Sequence, residues 1–228
     1  MKTWMLTLVA GLVMTAAAAP QAQPRSERFD VVVREDLFAG FSGDAARFDR
    51  GMTACEQMLA EHPDHAEALV WHGAGIAFKA GQAFASGEAQ SGAALWMRGL
   101  AEMDRAVSLA PDSVGVRIPR GATLLGASRN MPPAMARPLI EIGVADYERT
   151  LALQAESFAS LGDHPKGELL FGLADGYGRL DQPAQARKYF ERLVNDAAGS
   201  GHARGARQYL ESGTLPAVSG LGCVGCHK

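Results

Sequence analysis

Runs of β-branched residues are almost absent from this chain. Only FDVVVRED, at residues 29–36, suits a strand, and it suits the start of a helix equally well. No HExxH, glycine-rich phosphate loop or nucleophile elbow occurs, so the metallopeptidase, P-loop and serine-hydrolase chemistries of those patterns are not expected. No basic patch with interleaved aromatics appears and the formal net charge is −3, so nucleic acid is not an expected partner. Beyond the N-terminus no apolar run is long enough to span a membrane. Cysteine is scarce too: three in 228 residues.

What is present begins with MKTWMLTLVAGLVMTAAAAPQAQP. Lys2 supplies a short positive region, an apolar run follows, and small residues lead up to Ala19. That order is a secretory signal peptide, assigned to residues 1–19, with cleavage expected between Ala17 and Ala22. No cysteine stands beside that site, so a lipid anchor is not expected. Loss of Lys2 with the leader takes the formal charge from −3 to −4. Export is therefore expected, to the periplasm if the source is a bacterium, and with it an oxidising environment that permits disulfides. Residues 20–43 are read as an N-terminal extension.

The body, residues 44–212, is rich in Ala, Leu, Glu, Arg and Met, which favour helices. In GELLFGLADGYGRLDQPAQARKYFERLVNDAAG, Leu170, Leu173, Ala174 and Tyr177 share one helical face. A turn at residues 180–183 follows, then Ala186, Phe190 and Leu193 at i, i+4 and i+7. Small residues at Ala174 and Ala186 let the two helices approach. Weaker copies carry Leu69, Gly73 and Ile76, then Gly99, Met103 and Ala106. A further pair carries Gly121 and Leu124, then Gly143, Tyr147 and Thr150. Upstream, Gly51, Cys55 and Met58 repeat the second-helix pattern, and Cys55 reads as a small buried hydrophobe. Two stretches, residues 82–94 and 129–141, read as insertions within repeats. HARGARQYLES reads as a terminal capping helix.

These segments resemble the tetratricopeptide repeat, a helix–turn–helix unit of about 34 residues. Asp181 stands near a position where that family often has Gly, and Ala198 where it often has Pro. The resemblance implies an all-α, TPR-like solenoid of helical hairpins, about three to four repeats long, because one repeat cannot bury its apolar face alone. It also implies a concave face that binds a protein or peptide partner, and it implies no particular reaction.

The tail, residues 213–228, is a Gly-, Ser- and Pro-bearing linker read as flexible, followed by Cys223, Cys226 and His227. Cys-x-x-Cys-His is the attachment pattern of c-type haem: two thiols anchor the vinyl groups and the adjacent imidazole ligates the iron. A dithiol of the thioredoxin kind would want a strand–helix pattern around it, and none is evident. A closed zinc site would want a fourth ligand. With the repeats, the motif makes the chain similar to exported bacterial tetratricopeptide proteins ending in a haem-type Cys-x-x-Cys-His. That resemblance implies one covalent haem c per chain, Cys223 and Cys226 as anchors and His227 as proximal iron ligand.

The motif brings almost no pocket of its own, so a sixth ligand must come from the body or another protein. Candidates are Met131 and Met135 in NMPPAMARP, with Met97 behind them, and His72 and His202. Each also has a plain structural reading: methionines fill core gaps, and His72 sits at an inward-packing position beside Trp71. His62, His65 and His164 fall at turns between repeats. Arg117 and Arg120 share one helix and could meet an anion such as a haem propionate, or lie solvated at a helix start. The expected function is an exported interaction scaffold whose tethered haem exchanges one electron with a docked partner. The alternative is a haem-free scaffold whose tail cysteines form a disulfide.

Overall fold

The computed structural model of the chain describes residues 28–217. The leader and the motif of Cys223, Cys226 and His227 lie outside the described residues. Among the described residues there are nine α-helices and no strand: α1 (Phe29–Phe41), α2 (Ala45–Glu61), α3 (Ala66–Ala85), α4 (Ala89–Leu109), α5 (Val114–Ala127), α6 (Pro133–Leu153), α7 (Asp163–Arg179), α8 (Pro183–Asp196) and α9 (Ala203–Ser212).

The helices pair as hairpins in chain order, α1 with α2 through α7 with α8, and α9 packs on α8. The first helix of each hairpin also touches the first helix of the next, and each second helix touches the following first helix. The result is a solenoid-like stack of four hairpins closed by α9. Two apolar clusters fill it. One runs from α1 to α5 around Leu37, Val70 and Met103. The other runs from α5 to α9 around Leu170, Leu173 and Phe190. They meet at α5, where Leu124 belongs to the first and Leu125 to the second.

Local chemistry explains the helix starts. Asp44 caps α2 by accepting from the Arg47 N–H at 3.0 Å. His65, expected at a turn, caps α3: its Nδ1 accepts from the Ala68 N–H at 3.2 Å. Pro133 and Pro183 open α6 and α8, where a missing N–H costs nothing. The FDVVVRED stretch is helical. The buried positions of α1 are Phe29, Asp30, Val33, Leu37 and Gly40, a helical spacing, so the helical body reaches back to Phe29 rather than starting at Asp44.

The two insertions are helical as well. Residues 82–94 lengthen α3 and α4 and leave only a short turn between them. Residues 129–141 form part of a 3-10 turn at Ser128–Asn130 and the first turns of α6. Small residues set the spacing of the hairpins. A Cβ on Gly73 would stand 2.8 Å from the Gly99 carbonyl oxygen, and one on Gly99 would stand 2.7 Å from that of Gly73. Gly121 and Gly143 oppose one another likewise between α5 and α6. In the last hairpin Leu170, Leu173, Ala174, Ala186, Phe190 and Leu193 are all fully buried. Phe190 meets Tyr209 of α9 at a ring distance of 4.4 Å, so Phe190→Ala would cost about 3–5 kcal/mol. Asp181, between α7 and α8, has φ 60°, the left-handed conformation that Gly adopts more readily. Cys55 is fully buried in α2, and burial, with Glu56 and Glu102 nearby, pushes its thiol up to about 12.

Candidate functional site

The described part of the tail turns back onto the body. Gly213 ends α9 at φ 73°. Leu215 then lies against α7, where a Cβ on Gly178 would stand 2.5 Å from Leu215 Cδ2. Pro216 lies against α9, with its Cβ 3.1 Å from the position of a Gly205 Cβ. The chain is thus led to a cleft of about 630 Å³, within the about 300–1,000 Å³ range of ligand pockets. Its walls include Met131, Ala136, Ile140, Leu215 and Pro216, and Arg129, Arg137 and Arg179 lie along it.

The floor of this cleft is an ion network. Arg129 binds the nearly buried Asp175 at 2.6 Å, and Arg179 stands 3.6 Å from the same carboxylate. Arg179 also donates to Ser128 Oγ at 2.7 Å and to the Leu125 carbonyl at 2.9 Å. Two guanidiniums therefore share one carboxylate. Burial pulls Arg179 below its ordinary pKa, and the Arg129 charge adds to that against the opposing pull of Asp175.

Behind the network lies a second cavity of about 40 Å³, lined by Tyr147, Glu168, Phe171, Asp175 and His202 among others. Asp175 Oδ1 and Glu168 Oε1 are buried there without a hydrogen-bond partner. That space suits one or two waters rather than an organic ligand. His202 stacks on Phe171 at 4.4 Å and 18°. Burial and the nearby His164 lower its pKa.

The other sequence candidates separate. Met131 lines the large cleft, whereas Met135 is 62% exposed and Met97 is 64% exposed on α4. His72 is buried in the α1–α5 half. Its Nδ1 lies 2.6 Å from Glu102 Oε2 and its Nε2 3.7 Å from Glu56, contacts that account for a core imidazole. Burial would raise the Glu102 carboxyl, but the His72 and Arg98 hydrogen bonds outweigh it and hold it below its ordinary value.

Arg117 and Arg120 neither lie solvated nor await a ligand. Both grip Asp146 of α6, itself fully buried, at 2.7 Å. Arg120 also reaches Asp104 at 2.9 Å, and Arg117 the Pro111 carbonyl. Their anion is internal, and it locks α5 to α6. Burial opposes the Arg120 charge, yet Asp146 and Asp104 raise its pKa overall.

Sequence reasoning missed Arg129, Asp175 and Arg179. Arg129 and Asp175 are 46 positions apart, and no motif spacing joins them. Among the described residues no group of three or more His, Cys, Asp or Glu could hold a metal ion. No helix there is long and apolar enough to cross a membrane. The large cleft offers groups of the kind a haem uses: a thioether for iron, Ala136, Ile140, Leu215 and Pro216 for the macrocycle, and, for propionates, guanidiniums that already hold Asp175 and Glu141, with Asp181 on the same wall. No protein-family model matches the chain, and no curated protein or solved structure does.

Proposed function

We propose that this chain is an exported scaffold of tetratricopeptide type, bearing one covalent haem c on its C-terminal tail and exchanging single electrons with a docked redox protein. Cys223 and Cys226 are the anchors and His227 the proximal ligand. Each thiol S–H adds across one vinyl double bond, so attachment needs no leaving group. The observation that carries the reading is the Cys-x-x-Cys-His motif in a tail whose described part, residues 213–217, returns to the body beside an arginine- and methionine-bearing cleft. Export to a bacterial periplasm supplies the compartment in which such thiols can be loaded.

The tetratricopeptide assignment is supported by the small-residue register, Gly73 against Gly99 and Gly121 against Gly143. Ala174 and Ala186 hold the matching positions of the last hairpin and are fully buried. The layer of α1, α3, α5 and α7 is the proposed face for a protein or peptide partner. The rival is a haem-free scaffold. There Cys223 and Cys226 pair with each other, because Cys55 is buried and its thiolate disfavoured.

The test is the reduced pyridine spectrum of the chain, exported in a host with c-type haem maturation. A c-type band should survive denaturation and be missing from Cys223→Ser/Cys226→Ser. Colour lost on denaturation, or equal in the double variant, refutes covalent attachment.

A further inference from the structure

We infer that the cleft beside Met131 is the intramolecular dock of the chain's own tail, residues 218–228, and that the Met131 thioether takes the sixth coordination position of the tail's haem iron. This rests on the tail carrying haem, as proposed above.

The first support is the path of the chain. Leu215 and Pro216 already form part of the cleft wall. From Ala217 to His227 is ten residues, a span of at most about 35 Å when extended. The tail therefore starts at the cleft and needs no long excursion to fill it. A haem held at the end of so short a tether has a high effective concentration at that wall.

The second support is charge. Arg129 and Arg179 converge on the single carboxylate of Asp175, while Arg137 on the same cleft is paired with Glu141 at 3.1 Å and Asp181 also lines the wall. A planar guanidinium pairs with a carboxylate through two parallel hydrogen bonds. Two guanidiniums on one carboxylate leave one positive charge in surplus, which a propionate at a haem edge would meet. The apolar remainder of a haem would meet Ala136, Ile140, Leu215 and Pro216.

The third support is how Met131 is held. It follows the 3-10 turn at Ser128–Asn130 and precedes two prolines. Its backbone is extended, φ −109° and ψ 151°, the conformation that a following proline favours. The residue is thus kept out of both the turn and α6. It is partly buried, and it packs on the α5–α9 cluster. Met135, only four positions on, is absent from the cleft wall.

The experiment uses the full chain, exported with c-type maturation, as wild type, Met131→Leu, Met131→His and Met135→Leu. Haem loading is first equalised by the denatured pyridine spectrum. The native ferric protein is then read for the charge-transfer band of thioether-bound iron, and its reduction potential is measured. Wild type and Met135→Leu should show the band. Met131→Leu should lose it at unchanged loading and unchanged thermal midpoint, with a lower potential. Met131→His should stay six-coordinate and low-spin, again at lower potential, because a thioether raises the potential relative to imidazole. A merely structural methionine would not give that ligand exchange.

Loaded haem without thioether ligation in wild type, or a band untouched by Met131→Leu, overturns the inference and leaves the haem reading standing. That outcome would point to a ligand or peptide from another protein in the cleft. Absence of covalent haem in the pyridine spectrum overturns both together.

Discussion

Leu215 fills the space that the missing side chain of Gly178 leaves on α7, its Cδ2 standing 2.5 Å from where a Cβ would be. This contact fixes the exit of the tail next to Arg179 and the Met131 cleft. Gly178→Ala meets only the far end of a flexible leucine. The helix should gain up to about 1 kcal/mol of propensity, while Leu215 is pushed aside. The expected result is an unchanged or raised thermal midpoint with faster proteolysis after Gly213. Unchanged proteolysis would mean that Leu215 is not seated on Gly178 in solution.

Gly73 and Gly99 make the opposite case. There the obstacle to a Cβ is backbone: the facing carbonyl oxygens at 2.8 and 2.7 Å. The helices must separate, and overpacking of this kind costs about 1–3 kcal/mol. That outweighs the propensity gained from Ala. Gly73→Ala and Gly99→Ala should each lower the denaturant midpoint, and the double variant should cost less than the sum, since one separation relieves both clashes. Stabilisation by either single change would contradict the packing described.

Asp146 holds two arginines of α5 from a fully buried position on α6. Asp146→Asn leaves two guanidiniums with half a partner. Breaking a buried ion pair from one side costs about 3–5 kcal/mol, so the loss should approach that range in chemical denaturation. Haem loading per folded chain should not change, because Arg117 and Arg120 do not line the cleft.

His202 has its folded pKa lowered, by burial first and by His164 second. The sign follows from which state binds the proton. Below its ordinary value of 6.5 the unfolded chain protonates first, so stability falls as pH drops from there toward the folded value and is untouched above it. His164, Glu168, Asp175, Arg129 and Tyr147 are charged or titratable groups around that cavity and its rim. The haem-free Cys223→Ser/Cys226→Ser chain should show this slope in urea midpoints as the pH is lowered below 6.5. Adding His202→Phe, which keeps the ring stack on Phe171, should flatten it. An equal slope in both would assign the pH dependence to other groups.

The hairpin register was legible because it rests on local spacing. Gly73 with Gly99 and Ala174 with Ala186 are marks that a 3.6-residue period makes visible. The helical state of residues 82–94 was not. Gly, Ser and Ala look like a loop by composition, yet the long partner helix beside them decides the outcome. Val31 and Val32 gave α1 the look of a strand, although both are exposed and the buried positions Val33 and Leu37 keep helical spacing. The arginines were read on the wrong side of their chemistry. Arg117 and Arg120 looked available because Asp146 lies 26 positions or more away in sequence. Arg129 and Arg179 escaped notice because only tertiary packing brings them to Asp175. Met131 and Met135 were indistinguishable as sequence, and the 3-10 turn with the two prolines is what separates them.

The central claim is that the tail of this chain is covalently loaded with haem. The most direct measurement is the intact mass of the full chain, purified from a haem-maturing host and denatured before injection. The account requires an increment of one haem over the mature polypeptide, lost in Cys223→Ser/Cys226→Ser. A mass equal to the bare polypeptide, or lower only by the two hydrogens of a disulfide, in a host that loads another c-type cytochrome, would contradict it.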